Sequence, residues 1–262
     1  MLWHEQSWPK LAEIDKSVPV VIPLGACEQH GHHMPVFADT IQVEAVATRV
    51  EAALGDRILL APTLWLGSSH HHKDYPGTIS VLPSLYSQII KSIAMSFVGA
   101  GFQRVFFLNG HGGNEVPGAA ALSELVAEQD KADNVCLAFG SWWRVASDAM
   151  APDKHGMTTP GVTHACEYET SLMLFLRPDL VQMNHVQHAK PVMDNAWSAS
   201  EGGKKVNVFH RFSRLTARGN MGSPHEATAE KGRSMLEAVV NDVQACLKDF
   251  ATWPHMAKIG PA

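Results

Sequence analysis

The chain has 262 residues, 45% of them hydrophobic and 18% charged, with a formal net charge of −5. That is long and apolar enough to bury a large core as one domain over 1–262, and it carries no basic run of the kind that marks a nucleic-acid surface. No apolar run approaches the ~18 residues of a membrane span, and Met1-Leu2-Trp3-His4-Glu5 shows no basic-then-apolar leader, so a cytoplasmic protein acting on a small molecule is expected, with no nucleic acid and no membrane as partner.

Val18, Val20, Val21, Ile22 and Leu24 form a β-branched apolar run that reads as a buried strand ending at Gly25. Just beyond it come Glu28, His30 and Asp39. Two carboxylates and an imidazole suit a hard or borderline divalent cation such as Zn²⁺, Mn²⁺ or Fe²⁺. If the segment stays extended, Glu28 and His30 point to the same side. Asp39 opens an apolar-periodic stretch through Ile41, Val43, Ala45, Val46 and Val50, so the alternative reading is a helix N-cap.

A strand is expected at 58–60, and then the dense cluster His70-His71-His72 precedes Tyr75-Pro76-Gly77-Thr78. A helix is expected at 84–98 and a second buried strand to Leu108. That strand ends on Asn109-Gly110-His111-Gly112-Gly113-Asn114, where glycines flanking His111 let backbone approach a ligand and Asn114 can cap the helix that follows to 127. A further strand is expected at 135–139. His155 sits in a loop from which it could reach a pocket.

The segment from His164 to Leu174 reads as a helix in which His164 and Glu167 share a face while Glu169 lies beside Leu172 and Leu176. Glu169 is therefore expected inside, where a carboxylate costs several kcal/mol unless paired or bound to metal, and Glu167 outside in solvent. The stretch 181–222 lacks periodicity and reads as a lid or an oligomer arm. Leu236, Val239, Val240, Val243 and Leu247 make one stripe of a closing helix. The alternation of strands and helices predicts an α/β fold, a three-layer α/β/α sandwich with a mainly parallel central sheet. The four cysteines, Cys27, Cys136, Cys166 and Cys246, form no CxxC pair and are expected as free thiols.

Taken together, the Glu-Gln-His-Gly block with Asp39-Thr40, the Tyr75-Pro76-Gly77-Thr78-Ile79-Ser80 block, the Asn109 to Asn114 turn and the His164 to Ser171 block resemble those of the creatininase family of metal-dependent amidohydrolases. The resemblance implies two divalent metal ions per chain, Zn²⁺ or Mn²⁺ with Fe²⁺ as an alternative. Asp39 would bridge them, and Glu28, His30, His111 and Glu169 would complete the shells. It leaves His164 as the proton-transfer group and places His72 near the substrate, with Tyr75, Gly112, Gly113 and Asn114 as further contacts. Homo-oligomers, hexamers in the family, are implied as well.

Two positions depart from the creatinine-hydrolysing pattern. Gly113 stands where those enzymes have an acidic ligand, and Pro160 stands where they place a tryptophan, so Trp142 and Trp143 are expected to supply an aromatic wall instead. The implied chemistry is attack of a metal-activated water on a carbonyl, most simply that of a cyclic amide. Opening of a cyclic sugar diketone at carbon–carbon, or hydrolysis of a formamide, are the alternatives. A metal or ligand sensor is the non-enzymatic one.

Overall fold

A computed structural model describes residues 1–187, 206 and 208–253. In chain order its regular elements are α1 (Trp8–Glu13), β1 (Val20–Leu24), α2 (Ala38–Leu54), β2 (Leu59–Leu60), α3 (Pro83–Gly99), β3 (Arg104–Asn109), α4 (Glu115–Glu128), α5 (Asp130–Asp133), β4 (Cys136–Ser141), α6 (Trp142–Val145), α7 (Pro152–His155), α8 (Glu167–Leu176) and α9 (Ala229–Phe250). The four strands form one parallel sheet in the order β2-β1-β3-β4. The predicted three-layer sandwich follows from how these strands alternate.

Val21, Leu60, Phe106 and Leu108 point to one face, where they meet Val43, Val46 and Val50 of α2, Leu172 of α8 and the stripe Leu236, Val239, Val243 and Leu247 of α9. Val20, Ile22, Leu24, Leu59, Val105 and Phe107 point to the other and pack on Tyr86, Ile90 and Ala94 of α3 and Ala121, Leu122 and Leu125 of α4. Because both faces are covered, the strands are continuous apolar runs rather than alternating ones. α9 lies against α8 through Gly232, where a Cβ would collide with the Ser171 carbonyl.

The predicted strand at 58–60 narrows to two residues, and β4 runs on to Ser141 where 135–139 was expected. α8 starts only at Glu167, so His164 precedes the helix instead of sharing a face with Glu167. Of the segment 181–222, residues 188–205 and 207 lie outside the described residues, and what is described contains the 3₁₀ turns Met183–His185 and Phe212–Arg214. Among the described residues no helix is long and apolar enough to cross a membrane.

What positions the site is the register of the carboxyl ends: Leu24 pairs with Asn109, and Asn109 with Ser141. Gly110 N–H donates to the Leu24 carbonyl at 2.8 Å, so the loops after β1 and β3 leave the sheet side by side. This is the crevice in which open α/β sheets gather ligands.

Candidate metal centre

Asn114 ties the three loops that build the site. Its side-chain nitrogen donates to the Gly25 carbonyl at 3.0 Å and to Asn109 Oδ1 at 3.2 Å, and its oxygen accepts from Ser68 N–H at 2.9 Å. It is fully buried and stands at the N-cap position of α4, but its side chain makes no cap bond, because the loops after β1, β2 and β3 claim its polar atoms. Asp39 is likewise no cap. It sits in the first turn of α2, one residue after Ala38, with Phe37 at the cap position.

On this frame Glu28, His30, Asp39, His111 and Glu169 converge, all buried. His30 Nε2 lies 3.0 Å from Asp39 Oδ1, while its Nδ1 donates to the Glu28 carbonyl at 3.1 Å. That backbone bond fixes the tautomer and leaves Nε2 as the free donor atom, the arrangement usual for a metal-ligating imidazole. His111 Nδ1 lies 2.9 Å from Asp39 Oδ2, and its Nε2 lies 3.1 Å from Ser69 Oγ and 3.4 Å from Glu28 Oε2. Glu169 Oε2 accepts the N–H of Ala165 at 2.5 Å. Ala165 has φ 50°, a left-handed backbone that a β-carbon disfavours, and it aims that N–H while leaving His164 at the rim of the centre.

Among the described residues, three groups each hold donor atoms within 4.8 Å of one another: Glu28, His30 and His164; Glu28, His71 and His111; His30, Asp39 and Glu169. Glu28 Oε2 and Asp39 Oδ2 are buried without a hydrogen-bond partner. Buried carboxylate oxygens are rarely left so, and oxygen and nitrogen donors in this number are what a divalent cation needs. The residues present therefore fit the metals that the resemblance implies. The centre's electrostatics without ions are consistent. Burial pushes Glu28 and Glu169 up to about 7. Burial opposes the charge on His30 and His111 too, but Asp39 and Glu28 outweigh it and carry them up to about 10 and about 9. Asp39, despite burial, is held below its ordinary range by His30 and His111.

His164 stands beside this cluster with Nδ1 3.4 Å from Glu28 Oε1. Its Nε2 lies 2.8 Å from the Gln29 carbonyl oxygen and 2.9 Å from the Gln29 side-chain nitrogen, and donation to the carbonyl would leave the lone pair on Nδ1, toward the centre. The Gln29 side-chain nitrogen reaches His72 Nδ1 and the Gly219 carbonyl, each at 2.9 Å, and His72 Nε2 lies 3.4 Å from Glu28 Oε1. Burial, with the neighbouring histidines, holds both His72 and His164 well below the usual imidazole value. Phe212 covers the group, its ring centroid 4.3 Å from that of His72 and 4.7 Å from that of His164. Tyr75 lies at the edge, 6.4 Å from His72 between ring centroids, its hydroxyl donating to the Thr216 carbonyl at 3.0 Å.

Other expectations are corrected. Trp142 is buried in the core under α9, away from any wall, and Trp143 packs half-buried and edge-on against it at 5.3 Å. Glu167 is fully buried, not solvated, because Lys231 of α9 and the backbone of Thr158 and Thr159 satisfy it. His155 binds Ser234 Oγ and the Ala149 carbonyl, away from the centre. Gly112 faces open space, and a Cβ at Gly113 would collide with the Ser68 carbonyl and His111. His33 is buried on Thr170, and burial lowers it to about 4. Cys27 is buried and its thiol pushed up by burial, opposite to what a nucleophile requires. Sequence reasoning missed Gln29, Phe212 and Lys231. Gln29 was visible only as a letter inside the metal block, and Phe212 and Lys231 reach their partners from elements far along the chain.

Residues 4–247 match the creatininase family, described as creatinine amidohydrolase. The chain is 30% identical to a mycofactocin precursor peptide peptidase of Mycobacterium tuberculosis, covering 90% of this chain and 86% of that one. It is 27% identical to a 3-dehydro-scyllo-inosose hydrolase of Thermotoga maritima, over 93% and 81%, and 27% identical to a creatinine amidohydrolase of Pseudomonas putida, over 88% of each. A solved creatininase variant complexed with creatine superposes with a TM-score of 0.81 at 26% identity, over 96% of this chain and 98% of that one. A manganese form of creatininase gives 0.79 at 25%, over 95% and 97%.

Proposed function

The chain belongs to the creatininase family, whose members are hydrolases, and on that footing we propose that it hydrolyses a small cyclic amide at a two-metal centre held by Glu28, His30, Asp39, His111 and Glu169. The observation that carries the reading is the convergence of buried donor atoms: Glu28 Oε2 and Asp39 Oδ2 make no well-formed hydrogen bond and lie 3.4 and 2.9 Å from the imidazole nitrogens of His111. Two bound divalent cations would supply a water-derived nucleophile at neutral pH and polarise the substrate carbonyl.

The chain's own residues do the rest. His164 offers an unprotonated Nδ1 to the centre, takes a proton from the attacking water and returns it to the departing nitrogen. Gln29 holds that imidazole by its Nε2 proton, so the accepting atom cannot turn away. Phe212 packs on His72 and His164 and would offer a flat substrate an apolar face beside the acid–base group.

A cyclic sugar ketone cleaved at carbon–carbon is the second reading, favoured by the likeness to the Thermotoga maritima inosose hydrolase. It needs the same carbonyl position and differs in the leaving atom. The test is a product screen with the zinc- or manganese-loaded protein against cyclic amides, formamides, short peptides and cyclic sugar ketones. Ring-opened amino acid from a cyclic amide supports the first reading, and turnover confined to the sugar ketone or to peptides replaces it. The reading includes a homo-oligomer, and a monomer at micromolar concentration by light scattering removes that part.

A further inference from the structure

We infer that His71 is a metal ligand, joining Glu28 and His111 in a two-imidazole site that shares the bridging Asp39 and prefers zinc. The inference rests on the two-metal reading above and adds to it a residue from a different loop. The turn His70–His72 is pinned to the site: Ser69 N–H donates to Ser80 Oγ at 2.7 Å, His70 Nδ1 lies 2.7 Å from the same oxygen, and His72 N–H closes on the Ser69 carbonyl at 2.9 Å. Pinned so, His71 lays its ring nearly parallel to that of His111, at an interplanar angle of 12° and a centroid separation of 5.8 Å. It is half-buried, and its donor atom lies within 4.8 Å of those of Glu28 and His111.

Gly113 is what admits it. A Cβ at that position would come within 2.8 Å of His71 Cε1 and would also strike His111, so any other residue would force the two imidazoles apart or fill the space between them. On the third corner, Glu28 Oε2 is buried and lacks a hydrogen-bond partner, 3.4 Å from His111 Nε2. The two halves of the centre then differ in chemistry. With Asp39 common to both, Glu169 and His30 would complete one set and Glu28, His71 and His111 the other, which carries two imidazoles to the first set's one, the kind of set zinc takes in preference to manganese.

The test is a zinc titration against a chromophoric chelator, on the full chain and its His71→Ala, His71→Cys and Asp39→Ala variants, followed by cobalt loading. Two zinc ions are expected in the parent, with one of them bound at least tenfold more weakly in His71→Ala. Cobalt-loaded His71→Cys should gain a near-ultraviolet sulfur-to-cobalt charge-transfer band that the parent lacks. Absence of that band, or a His71→Ala titration matching the parent, overturns the inference. If the parent's zinc is lost in Asp39→Ala but unchanged in His71→Ala, only this inference falls; a parent that binds no zinc takes the two-metal reading down with it.

Discussion

His164 is held by Gln29 through the backbone: the imidazole Nε2 lies 2.8 Å from the Gln29 carbonyl oxygen, so Nδ1 is the atom presented to Glu28 at 3.4 Å. That geometry suits the proton-transfer role proposed for His164. The protein with His164→Ala should keep its metal content and its urea midpoint while kcat falls by about 10²–10⁴, the usual contribution of a positioned acid–base group. Loss of metal in that variant would instead make His164 a ligand, as its proximity to Glu28 and His30 permits.

Glu167 is a buried carboxylate serving the fold. One oxygen accepts from Lys231 Nζ at 2.6 Å, and the other accepts from Thr158 N–H, Thr158 Oγ1 and Thr159 N–H at 2.8–2.9 Å. Those donors hold its carboxyl below the usual range against the cost of burial. Removing one partner of a buried pair typically costs about 3–5 kcal/mol. Glu167→Ala should therefore lower unfolding free energy by about that much in urea, with Glu167→Ala/Lys231→Met losing less than the sum of the single variants.

Asn114→Ala should leave the Ser68 N–H and the Gly25 carbonyl buried without their partner. At about 1–3 kcal/mol for each buried group left unsatisfied, a loss of about 2 kcal/mol or more is expected in a denaturant melt. Because these bonds join three loops, metal affinity should fall with it. A variant of parental stability and affinity would show that the loops hold one another by other means.

Asp74 clamps the cover of the site, accepting from Arg211 at 2.6 Å and, by a shorter bond, from Ser213 on either side of Phe212. The Ser213 hydroxyl first, and then Arg211, lower its carboxyl below the ordinary value. A depressed folded value means that the clamp contributes fully above the ordinary aspartate range of ~3.9 and is lost only as pH falls below it. Hydrogen-exchange protection across 208–216, taken relative to the intrinsic rate at each pH, should therefore be flat from pH 5 to 8, and Asp74→Asn should lower it throughout that range. A change in the parent's protection between pH 5 and 8 would mean that another group governs the cover.

Much of the fold was legible because β1 and β3 are unbroken apolar runs that stop on glycine and polar turns, the mark of strands buried on both faces. The convergence of the metal block with His111 followed from the same stops, since ligands gather at strand ends. What escaped was set by partners distant in sequence. Glu167 lies inside because α9 brings Lys231 to it, and no local pattern contains that pairing. Trp142 is core because α9 closes over it. The helix begins at Glu167 rather than at His164 because Ala165 takes a left-handed turn, which nothing in the identity of alanine announces.

The central claim is a carboxylate-bridged two-metal centre, and elemental analysis of the purified protein beside its Asp39→Ala variant tests it most directly. Close to two divalent metals per chain, lost in the variant, is the predicted result. One metal or none in the parent, or metal content unchanged by removing Asp39, would contradict it.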